Sequence, residues 1–378
     1  MKKQFLLLLL LVMFLTSCGK EKSEFSKTSS TNKGKIIAYV HGWQDNWGIN
    51  NEKANQITHI NYAFANIKDG KVIEGNENDG EIMKKLNDLK KVNQDLKILI
   101  SVGGWSWSKN FSDAVLTENS RQIFANSAID FMLKHQIDGV DLDWEYPGQK
   151  GDNNVFRPED KENFTAILKL LRKKLDSVSG GEKTYLLTIA TAANSSYFEH
   201  TNMREAQQYL DFINIMTYDF YVGGQGVTGH HSNLYRSEFD LERGRSADVA
   251  VEDHVKAGVP IEKLVLGVPF YGRWWKGVNP INNGLYQSAQ GDFGSINYKS
   301  IADSLHNKVF VSNWDSSAVA PYIWRQKDSL FLTYESTSSL KLKVDYVNDN
   351  NLGGIMFWQF NGDNGDLLTT ISDNLVSN

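Results

Sequence analysis

The run Asp138-Gly-Val-Asp-Leu-Asp-Trp-Glu145 sets three carboxylates at alternate positions, Asp141, Asp143 and Glu145. On a β-strand, alternate side chains share a face. These three therefore stack together, while Val140, Leu142 and Trp144 take the other side. Stacked like charges raise at least one pKa and leave a protonated acid beside an ionised neighbour near neutral pH. That is the equipment of general acid and base catalysis. The flanks are apolar, which argues against a solvated edge strand, and no His or Cys lies nearby to complete a transition-metal shell. Neither a metal nor a cofactor is expected. Asp138 falls off the shared face and is expected to serve the start of the strand structurally.

Such a column needs a rigid support. Short apolar runs alternate with helical patterns over most of the chain, the mark of a parallel α/β architecture. Strands are expected at Ile36–Val40, His59–Ala65, Lys97–Val102, Gly139–Trp144, Tyr185–Ala190, Phe212–Thr217, Leu264–Pro269 and Gly354–Phe360. Helices are expected at Glu81–Val92, Ser120–His135, Pro158–Asp176, Ser246–Ala257 and Asp366–Leu375. Eight strands with intervening helices fit a (β/α)8 TIM barrel, and no Gly-x-Gly-x-x-Gly follows the first strand to support a dinucleotide fold.

One spacing breaks the rhythm. The stretch between strand 7 and strand 8 is too long for a βα connection, and β-like segments fall inside it at Lys308–Ser312, Tyr322–Arg325 and Ser329–Thr333. Residues 274–334 are therefore expected to form a small α+β domain inserted into a catalytic barrel of residues 34–273 and 335–378. Ser336–Asn350 would be the returning barrel helix. Active sites of these barrels lie at the C-terminal strand ends, so the insertion would wall the cleft. The same ends carry the odd polar and aromatic residues: Ser101 to Trp105, Met216 to Asp219, Phe270 to Arg273, and Met356 to Gln359.

The net charge of −5 argues against nucleic acid as a partner. Ten Trp and fifteen Tyr exceed what a core needs when several sit beside Gly and Asp in expected loops, and flat apolar faces such as sugar rings would stack there. Lys2 and Lys3 precede an apolar run from Phe5 to Leu15, too short for a bilayer and suited to a signal peptide over residues 1–17. The run ends Leu15-Thr16-Ser17-Cys18, which resembles a bacterial lipobox and implies cleavage before Cys18 and acylation of its thiol. Cys18 is the single cysteine, so no intramolecular disulfide is possible. Residues 18–33 read as a flexible Ser/Thr/Lys-rich tether. His230-His231 sits in a Gly-rich loop and reads as a solvated pair.

With the strand ends in view, the chain resembles glycoside hydrolase family 18, the chitinase family, from about Gly34 to the C-terminus. The signature Asp-x-x-Asp-x-Asp-x-Glu is complete as Asp138, Asp141, Asp143 and Glu145. Ser101 to Gly104 and Met216 to Asp219 match two further motifs, and the expected insertion is similar to that of one chitinase subgroup. The resemblance implies a retaining, substrate-assisted hydrolysis of β-1,4 bonds between N-acetylglucosamine units, an exception to the two-carboxylate scheme. Glu145 matches the general acid and base, its proton held by the Asp stack. Asp143 matches the carboxylate that orients the acetamido group, and Asp141 the deeper partner sharing its proton. Tyr218 matches the phenol that holds the acetamido carbonyl. The implied binding set is Trp358, Trp105, Asp219, Arg273, Tyr39, Ser101, Met216, Phe64 and Gly104, with Tyr39 and Ser101 donating to the inner carboxylate. Trp43, Trp47, Phe64, Trp274 and Trp275 are candidates to extend the cleft. The partners implied are chitin or its oligosaccharides and, through the lipid, a membrane; the enzyme is expected to be an exported monomer. Two other readings share the motif: an endo-β-N-acetylglucosaminidase on N-glycan cores, and a non-catalytic chitin-binding protein, which would not need Glu145.

Overall fold

The computed structural model describes residues 34–42, 49–180 and 184–376. Cys18, the expected signal peptide and tether, Trp43 and Trp47 lie outside the described residues.

The first strand, β1 (Lys35–His41), is buried from Ile36 through Val40. A strand apolar on both faces needs cover on both, which βα crossovers supply. It pairs in parallel with β2 (His59–Lys68), whose end folds back on the short antiparallel β3 (Lys71–Ile73). The ring continues through β4 (Lys97–Gly103), β5 (Gly139–Asp143), β6 (Leu186–Ala192), β7 (Phe212–Met216) and β8 (Leu264–Pro269). The chain then leaves the barrel for β9 (Tyr271–Trp275), β10 (Phe293–Asn297), β11 (Ser312–Asp315), β12 (Ala320–Arg325) and β13 (Leu330–Thr333). It returns in β14 (Gly354–Trp358), which pairs in parallel with both β8 and β1 and closes an eight-stranded barrel.

The helices follow their apolar spacing. Asp160–Ser179 buries Phe164, Ile167, Leu168, Leu171 and Leu175, and Gly180 stops it at φ 60°, a left-handed turn that glycine adopts without strain. Glu118–Lys134 and Thr337–Asp349 both start in reciprocal Ser/Thr caps, from Thr117 with Ser120 and from Ser336 with Ser339.

The excursion between β8 and β14 forms a five-stranded antiparallel sheet, ordered β10-β9-β13-β12-β11. One face joins the barrel's core through Tyr298, Ile301, Ile323 and Leu332. The other packs Trp275, Tyr322 and Phe331 against Phe220 and Tyr221, which follow β7. The sheet begins at Tyr271, so its first strand already carries Arg273. Strands β9 and β10 were not expected, because each has an interior glycine and reads as a loop. Lys308–Ser312 is not the expected strand: Lys308 turns the chain at φ 57° after the helix Tyr298–His306, and β11 starts at Ser312.

Candidate active site

The C-terminal strand ends surround a cavity of about 930 Å³. Strand β5 stops at Asp143, so Trp144 and Glu145 lie just past its end. Trp144 still takes the far side, stacked on Phe111 at 5.1 Å and edge-on to Phe164 at 6.0 Å. The backbone beyond β5 is pinned by Ser108, whose Oγ donates to the Asp143 carbonyl and accepts from the Glu145 N–H at 2.8 Å. Gly103 and Gly104 make room for this approach: a Cβ on Gly103 would fall 2.4 Å from the Asp143 carbonyl oxygen, and one on Gly104 2.5 Å from the Phe64 ring. Both have positive φ, 107° and 75°, which favours glycine for a second reason.

Asp141 is fully buried and saturated. Its Oδ2 accepts from Tyr39 Oη at 2.9 Å and Ser101 Oγ at 2.8 Å, and its Oδ1 from Thr188 Oγ1 at 2.5 Å and Asn214 Nδ2 at 3.5 Å. Strand register puts Ser101, Asp141 and Thr188 side by side in one layer of the barrel. Burial pushes the Asp141 pKa up, and the four donors oppose it. Asp143 is treated differently. It is almost fully buried, and its Oδ1 has no hydrogen-bond partner. Burial, then the charges of Glu145 and Asp141, push its pKa well above the carboxylate range. In this geometry no hydrogen bond joins Asp141 to Asp143, so the proton sharing expected between them is not seen here.

Glu145 is pushed up to about 7, chiefly by burial, with the Asp219 charge adding and a hydrogen bond from Tyr146 opposing. Burial leads and the Asp219 charge adds from the neighbouring wall, while the expected repulsion within the Asp stack is present too: Asp143 and Glu145 each disfavour the other's ionised form.

In that wall Arg273 grips Asp219 bidentately, Nε to Oδ1 at 2.8 Å and an Nη to Oδ2 at 2.6 Å. His231 Nδ1 lies 3.6 Å from Asp219 Oδ1. Burial alone would raise the Asp219 pKa, but His231 and Arg273 hold it well below the usual range. The solvated reading of His230-His231 is therefore wrong. Both rings are fully buried, and His230 Nε2 meets Asp315 Oδ2 of β11 at 3.2 Å. The covering group comes 85 residues later, out of reach of a local reading.

Trp358 floors the cavity, stacked on Phe64 at 5.5 Å and 19° and tilted against Tyr39 at 5.9 Å. Met216 and Tyr218 also line it, the Tyr218 ring set edge-on to Tyr271 at 6.3 Å. Trp105 stands at the rim, 52% exposed. Tyr39 and Ser101, counted with the binding residues, sit beneath the cavity as donors to Asp141. Asp138 accepts the Ile98 N–H at 2.9 Å and pairs with Lys90 at the other end of the strand. Trp274 and Trp275 do not extend the cleft: Trp275 is buried in the core of the second sheet, and Trp274 packs on the sheet's other face. Sequence reasoning missed Thr188, Asn214, Ser108, Tyr146 and Tyr271. Asn214 carried a usable signal, a lone polar residue inside an apolar strand run, and Thr188 a weaker one, since its strand also holds Thr191.

The sequence model of Glycosyl hydrolases family 18 matches residues 35–363, and the chain belongs to that family. Chitinase A1 of Niallia circulans is 35% identical over 399 residues, an alignment covering 88% of this chain and 57% of that enzyme. Among solved structures, a family 18 N-acetylglucosaminidase from Paenibacillus barengoltzii superposes with a TM-score of 0.84 at 39% identity, over 90% of this chain and all of that one. A chitinase from Bacillus thuringiensis superposes at 0.85 with 31% identity, over 91% of this chain and 70% of that one.

Proposed function

We propose that the chain is a chitinase, hydrolysing β-1,4 bonds between N-acetylglucosamine units with retention through an oxazolinium intermediate. The observation that carries this reading is Asp143: a buried carboxyl with an unpaired oxygen, beside an acid held near neutrality. An acetamido N–H would fill that vacant acceptor. The positive charge that develops on the cyclising acetamido group would draw Asp143 into its ionised form, its proton released to solvent as the sugar binds, because an adjacent cation lowers a carboxyl pKa. Glu145, protonated at rest, donates to the glycosidic oxygen and then takes a proton from the incoming water. Tyr218 holds the acetamido carbonyl near the anomeric carbon, a gain in effective concentration. Trp358 supports the sugar under attack, and Asp141 with its donors fixes the base of the column.

The likeness to an N-acetylglucosaminidase over that protein's full length favours one specific alternative, release of single sugars from a chain end. The product length distribution from N-acetylglucosamine oligomers separates the two. Internal cleavage yields dimers and trimers at the earliest times; monosaccharide alone would replace the chitinase reading with the exo one. Both readings require acetyl groups, so sequencing products of partly deacetylated chitin tests the mechanism. Frequent glucosamine at new reducing ends would overturn substrate assistance.

We further propose that the barrel of residues 34–273 with 335–378 is catalytic and that the second sheet, which already takes in Tyr271 to Arg273 before residues 274–334, is an inserted wall. The chain would be exported and anchored by lipid at Cys18, the support being Lys2, Lys3, the apolar run and the lipobox-like ending. Among the described residues no helix is long and apolar enough to cross a membrane. Metabolic fatty-acid labelling should mark the wild type and spare Cys18→Ala; unlabelled wild type would end the anchor proposal without touching the enzymatic one.

A further inference from the structure

We propose that Phe293 is the aromatic platform of an outer subsite, supplied by the second sheet, that binds an N-acetylglucosamine unit remote from the bond being cut. The sugar class rests on the chitinase reading above; the placement rests on geometry.

Strand β10 alternates strictly. Phe293, Ser295 and Asn297 are exposed on one face, and Gly294 and Ile296 turn toward the other. Ser295 and Asn297 line the active-site cavity. Alternation therefore puts Phe293 on the cavity side, one two-residue step further along the strand from Ser295, or roughly 7 Å. Pairing with β9 gives the direction. Asn297 lies opposite Tyr271, Ser295 opposite Arg273 and Phe293 opposite Trp275. Moving from Ser295 to Phe293 thus leads away from the Arg273–Asp219 pair, outward along the wall.

The ring is not adrift in solvent. It lies on the backbone of the loop after β7: a Cβ on Gly223 would fall 1.8 Å from the Phe293 ring, and one on Gly224 3.5 Å from it. Glycine at 223 is what lets the ring lie down there. Val222 and Gln225, on either side of these glycines, line the cavity. The flanks of the seat and the following residues of the strand, Ser295 and Asn297, line one cleft, which sets the ring at its lip. Yet 53% of Phe293 stays exposed. A single exposed apolar side chain is ordinary on a surface. A ring backed by a glycine pair at the edge of a sugar-sized cleft, with an open face, is a binding shelf. The apolar face of a pyranose is the complementary shape, and stacking on aromatic faces is a recognised source of affinity.

The test measures kcat/KM across N-acetylglucosamine oligomers from the disaccharide to the hexasaccharide for wild type, Phe293→Ala and Phe293→Trp. In parallel, calorimetry measures binding of the same series to Glu145→Gln with and without Phe293→Ala. Phe293→Ala should lower kcat/KM through KM, with a loss that grows with length to roughly two- to tenfold on the longest oligomers. Phe293→Trp should restore the length dependence. Gly223→Ala, which dislodges the ring without touching sugar, should reproduce the alanine phenotype. A loss equal at every length in a protein of unchanged melting temperature would overturn the proposal, as would no loss at all. Length-dependent binding lost with Phe293, in an enzyme that turns over none of these oligomers, would sustain the platform and overturn the chitinase reading.

Discussion

Asp141, Asp143 and Glu145 are buried in the barrel, and among the described residues no Lys or Arg is paired with any of them. A short distance away, in the wall built from the β7–β8 loop and the second sheet, Asp219 is gripped by Arg273. Behind that wall Glu335 meets Lys343, and both side chains are almost wholly excluded from solvent. Carboxyls withdrawn wholly or largely from water occur in both regions, with opposite treatment. A buried carboxyl without a cation lowers its energy by keeping a proton, and the proton is then available for chemistry. A buried carboxyl with a cation stays ionised, and its fixed charge holds geometry or sets the potential felt by its neighbours. The barrel column is built for proton transfer. The wall is built to stand still.

The sharpest way to break this comparison is to remove the proton. Glu145→Gln keeps the shape and loses the exchangeable proton. Turnover on unactivated oligomers should fall by roughly 10²–10⁴-fold, the usual contribution of a general acid. The melting temperature should hold or rise, because a buried ionisable group has been neutralised. A variant retaining more than a small fraction of wild-type turnover would remove Glu145 from the role.

The next largest effect is expected in the wall. Lys343 Nζ bonds both Glu335 Oε1 and the Ser232 carbonyl, tying the helix Thr337–Asp349 to the loop that carries His230 and His231. Lys343→Met strands a buried carboxylate and should cost about 3–5 kcal/mol in denaturant unfolding. Adding Glu335→Leu should recover most of that loss, since no uncompensated charge remains. Equal stability of the single and double variants would mean that packing, not charge compensation, governs the site.

What the sequence made legible follows the same division. The carboxylate column was readable because a period of two is a local property, and Asp141, Asp143 and Glu145 declare their shared face within five residues. The Gly103-Gly104 turn and the aromatic ends of β4 and β14 were readable by resemblance to a known motif. The supports were harder. Thr188 and Asn214 sit on other strands, and only barrel closure brings them to Asp141. The burial of His230 depends on β11 folding back over the loop, and that of His231 on Tyr271 of β9, contacts no local pattern encodes. Trp275 looked like a cleft residue because it lies two residues past Arg273, and it does share that face, yet Phe220, Tyr221 and Phe331 pack over it. Function was legible where it is local, and compensation was hidden where it is tertiary.

The smallest effect is the one that joins the two regions. Glu145 titrates near 7, so kcat/KM should hold while the acid keeps its proton and decline as pH rises through about 7. Part of that elevation comes from the Asp219 charge. A neighbouring anion favours the protonated form, so neutralising it must lower the Glu145 pKa. Asp219→Asn also frees the Arg273 guanidinium, whose charge acts in the same direction. The alkaline limb of the pH profile should therefore shift to lower pH, and activity should fall most at the alkaline end of the working range. Fold stability should change less than in Lys343→Met, because Asp219 and Arg273 are partly open to solvent and exposed pairs contribute little. The measurement is the full pH dependence of kcat/KM for wild type and Asp219→Asn on one oligomer. A lower rate with an unmoved limb would show that Asp219 acts by positioning alone. A shift to higher pH would show that the wall does not set the potential at Glu145, and the division between the two regions would have to be redrawn.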